Sequence, residues 1–423
     1  MQLLLDMVSA HKANGGGVYS VCSAHPLVLA SSLRHARDKN VRICVIESTS
    51  NQVNQDGGYT GMTPEQFRDF VEGIAVKVDF PLERLVLGGD HLGPHVWRNE
   101  PKASAMAKAA AMIDAYVAAG YRKIHLDCSM PCADDPDILT DHDVAERAAE
   151  LCAVAEATAA RVGREAPVYI IGTEVPPPGG AAEALDQLEP TPPKAAMTTL
   201  QVHQDVFADA GLEEAWARVI GLVVQPGVEF DTHSVVDYKR EAAKALSSSL
   251  DDKPGIVFEA HSTDYQSSEA LNALVEDHYA ILKVGPGLTF ALREALFALD
   301  QIAADWLDEP TSLRKTTLDV MHTDPKYWTG HYNANSYPQD IDLIYSYSDR
   351  IRYYWPNAEI ERERSSLFKR LEQKPPPEAL VSQYLPSAYS ALRAGEIENL
   401  PNELVHAHLC TVLDSYANAT GGQ

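Results

Sequence analysis

Arg84-Leu85-Val86-Leu87-Gly88-Gly89-Asp90-His91-Leu92-Gly93-Pro94 runs from an apolar, strand-forming segment directly into a carboxylate beside an imidazole. The strand in it, 85–90, is the third of eight such runs, the others being 18–23, 42–47, 123–128, 168–174, 221–225, 255–261 and 280–285. They are nearly continuously apolar, as strands buried on both faces of a parallel sheet should be. Helical patterns separate them. Residues 101–119 carry Ala105, Ala109, Met112, Ile113, Tyr116 and Val117 at helical spacing, with Gly120 to end the helix. Residues 141–160 repeat the pattern, and 290–307 follow the eighth strand. Eight βα alternations predict an α/β fold, a closed (β/α)8 TIM barrel over residues 1–310. A doubly wound open sheet is the alternative, and the glycine fingerprint of dinucleotide binding is absent from these strands.

The barrel rhythm stops near Thr311, so 311–423 is expected to form a mainly helical C-terminal extension packing on the barrel. Trp328, Tyr332, Tyr345, Tyr347, Tyr353, Tyr354 and Trp355 make its first part aromatic, and 361–371 and 377–414 have helical patterns. Such an appendage suits a lid, an oligomer interface or a plain buttress.

The 423 residues include 35 basic and 60 acidic side chains, a formal charge of −25. That balance argues against nucleic acid or an anionic membrane surface as partner. The start, Met1 to Met7, is too short and acidic for a signal peptide, and no apolar run reaches the about 18 residues of a membrane span. Six cysteines form no regular framework, so reduced thiols and a cytoplasmic location are expected. Cys128 and Cys132 have metal-compatible spacing but no second pair, which favours structural thiols.

The chemistry gathers at strand ends: Glu47, Asp90-His91, Asp127, Glu174, Gln225 and His261. In a barrel the C-terminal ends of the strands form the active-site face. Acids, an amide and imidazoles at one rim suit a divalent metal, Zn²⁺ or Mn²⁺, with proton transfer beside it. Asp90, Glu174 and Asp127 are the candidate proton-transfer groups, and His91 and His261 the candidate metal ligands. Glu47, Gln225 and Lys283 are candidates to touch substrate, as is the polar loop 48–59. Gly285, Gly287 and Thr289 open a helix whose free N–H groups would suit an anion, a tight turn being the plainer use of the glycines. No P-loop and no kinase glycine loop occurs.

Gly88 to Pro94, Val224-Gln225-Pro226-Gly227-Val228-Glu229-Phe230-Asp231, Phe258 to Asp264 and Lys283 to Thr289 together resemble the non-catalytic Z subunits of class II D-tagatose-1,6-bisphosphate aldolase. The resemblance spans nearly the whole chain. It implies an accessory subunit in galactitol or N-acetylgalactosamine catabolism, in an oligomer with a catalytic class II aldolase chain. Members have also been labelled tagatose-6-phosphate kinases. The related catalytic enzymes are metal-dependent barrels, which implies that Asp90 moves a proton and that His91 and His261 bind metal. Their third metal-binding His should close strand six, where this chain has Gln225-Pro226, and Ser262-Thr263-Asp264 replace phosphate-cradling glycines. These departures agree with a supporting subunit whose rim takes a sugar phosphate or ketose. Two other readings remain: a free-standing metal-dependent ketose or uronate epimerase, and a sugar-phosphate binding module without turnover.

Overall fold

A computed structural model describes residues 1–172, 188–332 and 338–421. Eight parallel strands close into a barrel: β1 (Val18–Val21), β2 (Cys44–Thr49), β3 (Leu85–Leu92), β4 (Lys123–Leu126), β5 (Val168–Gly172), β6 (Val219–Val223), β7 (Val257–Ala260) and β8 (Ile281–Val284). Each strand pairs with its sequence neighbours, and β1 closes the ring on β8 through Val18–Ile281 to Val21–Val284. The expected TIM barrel is therefore present.

Helix α1 (Gln2–Asn14) precedes β1. Helices α2 (Pro26–Asp38), α3 (Pro64–Lys77), α4 (Lys102–Ala119) and α5 (Asp141–Val162) follow the first four strands. Then come α6 (Pro193–Asp209), the short α7 (Glu213–Trp216), α8 (Arg240–Ser247), α9 (Ser268–Glu276) and α10 (Pro286–Leu307). Local chemistry sets their ends. Thr63 and Gln66 form a reciprocal capping box on α3, as Thr140 and Asp143 do on α5. Gly120, at φ 99°, ends α4 where the sequence places its stop.

The barrel interior has two layers of different character. At the bottom, Leu4, Met7 and Val8 of α1 pack against Val18, Val45, Val86, Val168, Ile220 and Val257, so α1 plugs the ring. Higher up, the inward positions change to Glu47, Lys123, Glu259 and Lys283, all buried.

The C-terminal part is helical: α11 (Leu313–Thr323), α12 (Gln339–Tyr345), α13 (Ala358–Gln373), α14 (Glu378–Tyr384), α15 (Pro386–Ala394) and α16 (Pro401–Ala419). Helix α16 packs on α2, α9 and α10, joining the outer ring of the barrel. Tyr354 and Trp355 are buried in the core rather than displayed, and Trp328 is half-buried with its indole N–H donating to the Met321 carbonyl at 2.8 Å. Tyr345 keeps a larger exposed area, at 41%.

Candidate active site

Alternation along a strand sends every second side chain into the barrel. In β4 this directs Lys123 and His125 inward, and Asp127 continues the same face just past the strand end. In β7 it directs Glu259 inward, with His261 following two residues on. Lys123 Nζ lies 2.6 Å from Glu47 Oε1 and 2.6 Å from Glu259 Oε2. Lys283 pairs with Glu47 and lies 3.4 Å from Glu259 Oε1. Two ammonium groups and two carboxylates thus compensate one another under the rim, which burial of charge requires. Gly88 makes room for this layer: a Cβ there would come within 2.6 Å of Glu47 Oε1.

Simple alternation would send Asp90 and His91 to opposite faces. The β3–β4 register shifts between Gly89 and Leu92, and His91 has φ 51°, in the left-handed region. This irregularity brings both side chains to the rim, the kind of local strain that functional sites concentrate. Gly93 completes the turn where β3 and β4 nearly touch, since a Cβ there would overlap the Asp127 carbonyl.

Above the ionic layer, His91, His125, His261 and Asp90 each offer one ligand atom within 4.8 Å of the others, and all four are buried. His91 Nδ1 lies 2.7 Å from Asp127 Oδ2, and Ser129 Oγ donates to the other Asp127 oxygen at 2.7 Å. His125 Nε2–H donates to the Gly172 carbonyl at 2.9 Å. Fixing one ring nitrogen on an oxygen turns the other toward the cluster, the usual outer-shell arrangement of metal-binding histidines, although His125 Nδ1 also accepts from the His91 backbone N–H at 3.2 Å. His125 Nδ1 also lies 3.0 Å from Asp90 Oδ1, two lone-pair atoms face to face unless a proton or a cation lies between them. The donor set, three imidazoles and a carboxylate on one rim, fits a divalent ion such as Zn²⁺ or Mn²⁺.

Electrostatics hold the acids ionised. Burial alone would raise Asp90, but His91, Lys283 at 2.8 Å and the His125 contact outweigh it and bring it well below the carboxylate range. Asp127 is lowered in the same way, burial being overcome by His91. Burial is likewise outweighed at Glu259 by Lys123 and Lys283, and at Lys283 by Asp90, Glu259 and Glu47. An ionised Asp90 is a proton acceptor beside the metal donors.

The cavity over this cluster is lined by Asp90, His91, His261 and Lys283, by Thr49, Asn51, Gln52 and Tyr59 of the polar loop, and by Arg352 and Tyr353 of the C-terminal part. Tyr59 and Tyr353 meet edge to face at 4.9 Å, which ties the loop after β2 to the extension.

The predicted residues sort as follows. Asp90, His91, Asp127 and His261 come together, and Lys283 joins them. Glu47 lies in the ionic layer below. Glu174 lies outside the described residues. Gln225 turns back on its own loop, its Oε1 accepting from Gly227 N at 2.8 Å and Val228 N at 3.0 Å, so β6 supplies no ligand to the cluster. Strand six brings no imidazole to the rim, as its Gln225-Pro226 implies, but His125 of β4, which the sequence reading did not single out, stands beside His91 and His261. The Gly285 and Gly287 amides both donate to Asp264 Oδ1, at 2.9 and 2.7 Å, and Thr289 Oγ1 donates to Asp349. Sequence reasoning missed His125, Lys123 and Glu259, although each is an ionisable residue inside an apolar strand. Arg352, from a segment with no barrel pattern, carried no such signal.

The model of the family "D-tagatose-1,6-bisphosphate aldolase subunit GatZ/KbaZ-like" matches residues 4–421. The chain belongs to this family. A GatZ/KbaZ-like chain therefore carries the rim described above. A solved structure from Sinorhizobium meliloti 1021, described as a probable tagatose 6-phosphate kinase, is 47% identical, spans 95% of this chain and 100% of its own, and superposes with a TM-score of 0.88. The fructuronate-tagaturonate epimerase UxaE of Cohnella laeviribosi is 12% identical over 96% of this chain and 81% of its own, with a TM-score of 0.50, a likeness of fold. Among the described residues of this GatZ/KbaZ-like chain, no helix is long and apolar enough to cross a membrane.

Proposed function

We propose that this chain is a subunit of a tagatose-1,6-bisphosphate aldolase, working beside a separate catalytic class II chain, and that its own rim holds a divalent metal and a ketose-type ligand. The observation that carries the second half is the complete donor set of His91, His125, His261 and Asp90. A scaffold alone would have no physical need for three convergent imidazoles above a buried ionic layer. The proposal puts the chain in the cytoplasm, in galactitol-type sugar catabolism, as part of an oligomer. Phosphoryl transfer from ATP is no part of it, because the sequence has no phosphate-cradling nucleotide loop.

A second reading, a free-standing ketose or uronate epimerase, is favoured by the same three imidazoles with the ionised Asp90 beside them as a base. A divalent ion held by His91, His125 and His261 would polarise the sugar carbonyl. Asp90 would take the proton from the hydroxyl at the carbon–carbon bond that breaks, and the bonding pair would pass to the ketone half. Re-formation of that bond on the other face of the aldehyde, with Asp90 returning its proton, inverts one carbon without net cleavage. His91 is held by Asp127 and His125 by the Gly172 carbonyl, so both rings keep their orientation through the cycle.

The test titrates this chain into a purified class II catalytic subunit and follows cleavage of tagatose 1,6-bisphosphate, with this chain alone as control. A saturable rise, and no rate from the chain alone, supports the accessory subunit. No rise, together with turnover of free ketoses or uronates by the metal-loaded chain, supports the epimerase. Neither rise nor turnover overturns both readings.

A further inference from the structure

In an α/β barrel, the N-terminus of the helix after the last strand is a natural seat for a phosphate, because its first amides lack partners within the helix. Here that seat is filled from within the chain. Asp264, 3% exposed, inserts its carboxylate at the start of α10, where Oδ1 accepts from Gly285 N at 2.9 Å and Gly287 N at 2.7 Å. The fit is close on the helix side as well: a Cβ at Gly287 would lie 3.0 Å from Asp264 Oδ1. Tyr416 of α16 braces the loop that carries Asp264, its hydroxyl donating to the Thr263 carbonyl at 2.8 Å, while Thr263 Oγ1 donates to the Lys283 carbonyl at 2.6 Å. Asp264 lines the same cavity as Asp90, His91 and His261.

We propose that Asp264 is a specificity residue that occupies the anion seat over β8, so that the rim takes a ketose whose end at that position carries no phosphate. A phosphate entering there would have to displace a buried carboxylate and give up two amide hydrogen bonds, or stand against its charge at close range. A hydroxymethyl group or other unphosphorylated end meets neither obstacle. The inference rests on the reading of the rim as a ketose site, and it sets the rim's ligand apart from the bisphosphate handled by a catalytic partner. Burial raises Asp264 to about 6 against the pull of the two amides, so near neutral pH the seat already carries a negative charge.

The experiment uses the full chain and inorganic phosphate as probe, followed by thermal shift and by ³¹P line broadening. Wild type is expected to show no saturable phosphate binding, and Asp264→Gly to bind at least about tenfold more tightly than wild type. Asp264→Asn keeps an oxygen acceptor for both amides but removes the charge, and is expected to bind phosphate more weakly than Asp264→Gly and no more weakly than wild type. Asp264→Ser, with a side chain too short to fill the seat, is expected to gain phosphate binding as Asp264→Gly does, and serves if the glycine variant does not fold. Saturable phosphate binding by wild type, or no gain in a folded Asp264→Gly or Asp264→Ser, overturns the proposal. Metal content and D-tagatose binding of wild type, measured in parallel, test the ketose-site reading separately, because phosphate in the opened seat needs neither metal nor sugar.

Discussion

His125 Nδ1 lies 3.0 Å from Asp90 Oδ1, so β4 delivers to the rim the imidazole that β6 does not. His125→Ala should therefore strip the site of a ligand and lower bound Zn²⁺ or Mn²⁺ sharply. Asp127→Asn, which weakens the hold on His91, should reduce metal affinity about 10–100-fold. Gln225→Ala should leave it unchanged. Chelator competition with elemental analysis measures all three, and equal losses in the Gln225 and His125 variants would refute the assigned ligand set.

The ionic layer below the rim should be costly to break on one side only. Lys123→Met leaves Glu47 and Glu259 short of a cation in a fully buried place, and should destabilise the fold by about 3–5 kcal/mol. The double variant Lys123→Met/Glu259→Gln should recover part of that loss, since the charges leave together. Urea unfolding of Lys123→Met, Glu259→Gln and the double variant decides it. A double variant as unstable as the sum of its parts would mean that the groups act independently.

Asp349 should make stability fall as pH rises. Burial raises its carboxyl to about 7, against the pull of Thr289, Arg352 and Arg293 and with a push from Asp264. An unfolded Asp titrates near 3.9, roughly, so between about pH 4 and 7 the folded chain binds the extra proton. Stability is then lost as pH rises through that window, by at most about 4 kcal/mol. Asp349 has φ 46°, which Asn tolerates, so Asp349→Asn should fold and flatten the slope. Chemical denaturation at pH 4.5 and 7.5 checks it, and an unchanged slope would count against the protonated carboxyl.

The extension should behave as part of the core. Trp355 is 4% exposed, and its ring meets His25 and Phe297 at 6.1 and 6.4 Å. Trp355→Ala should cost about 3–5 kcal/mol as a buried cavity. Trp328→Ala, at a half-buried position, should cost less. Thermal unfolding with size-exclusion chromatography separates loss of packing from loss of an interface, because an interface residue would change oligomeric state before stability.

Several features were legible in the residues alone. The eight apolar runs, the helix stop at Gly120 and the Asp90-His91 pair mark the barrel and its reactive rim, because burial on both faces leaves a local signature along each strand. The aromatic stretch near Trp355 suggested a contact surface as readily as a buttress, since composition does not say which way a ring faces. His125 was hidden because it sits inside a strand, where an imidazole resembles any buried polar residue until its neighbours are known.

The sequence by itself determined the order and kind of elements, since periodicity and turn residues act over a few neighbours. Tertiary structure decided which strands share the site. Closure of the ring brings ligand atoms of His125, Asp90 and His261 from three distant segments within 4.8 Å of one another, and an irregular turn at His91 reverses the alternation that the sequence implies. It also decided that Asp264, 21 residues before Gly285, fills the helix end that the glycines alone would leave open. Such pairings depend on through-space distance, which no local pattern encodes.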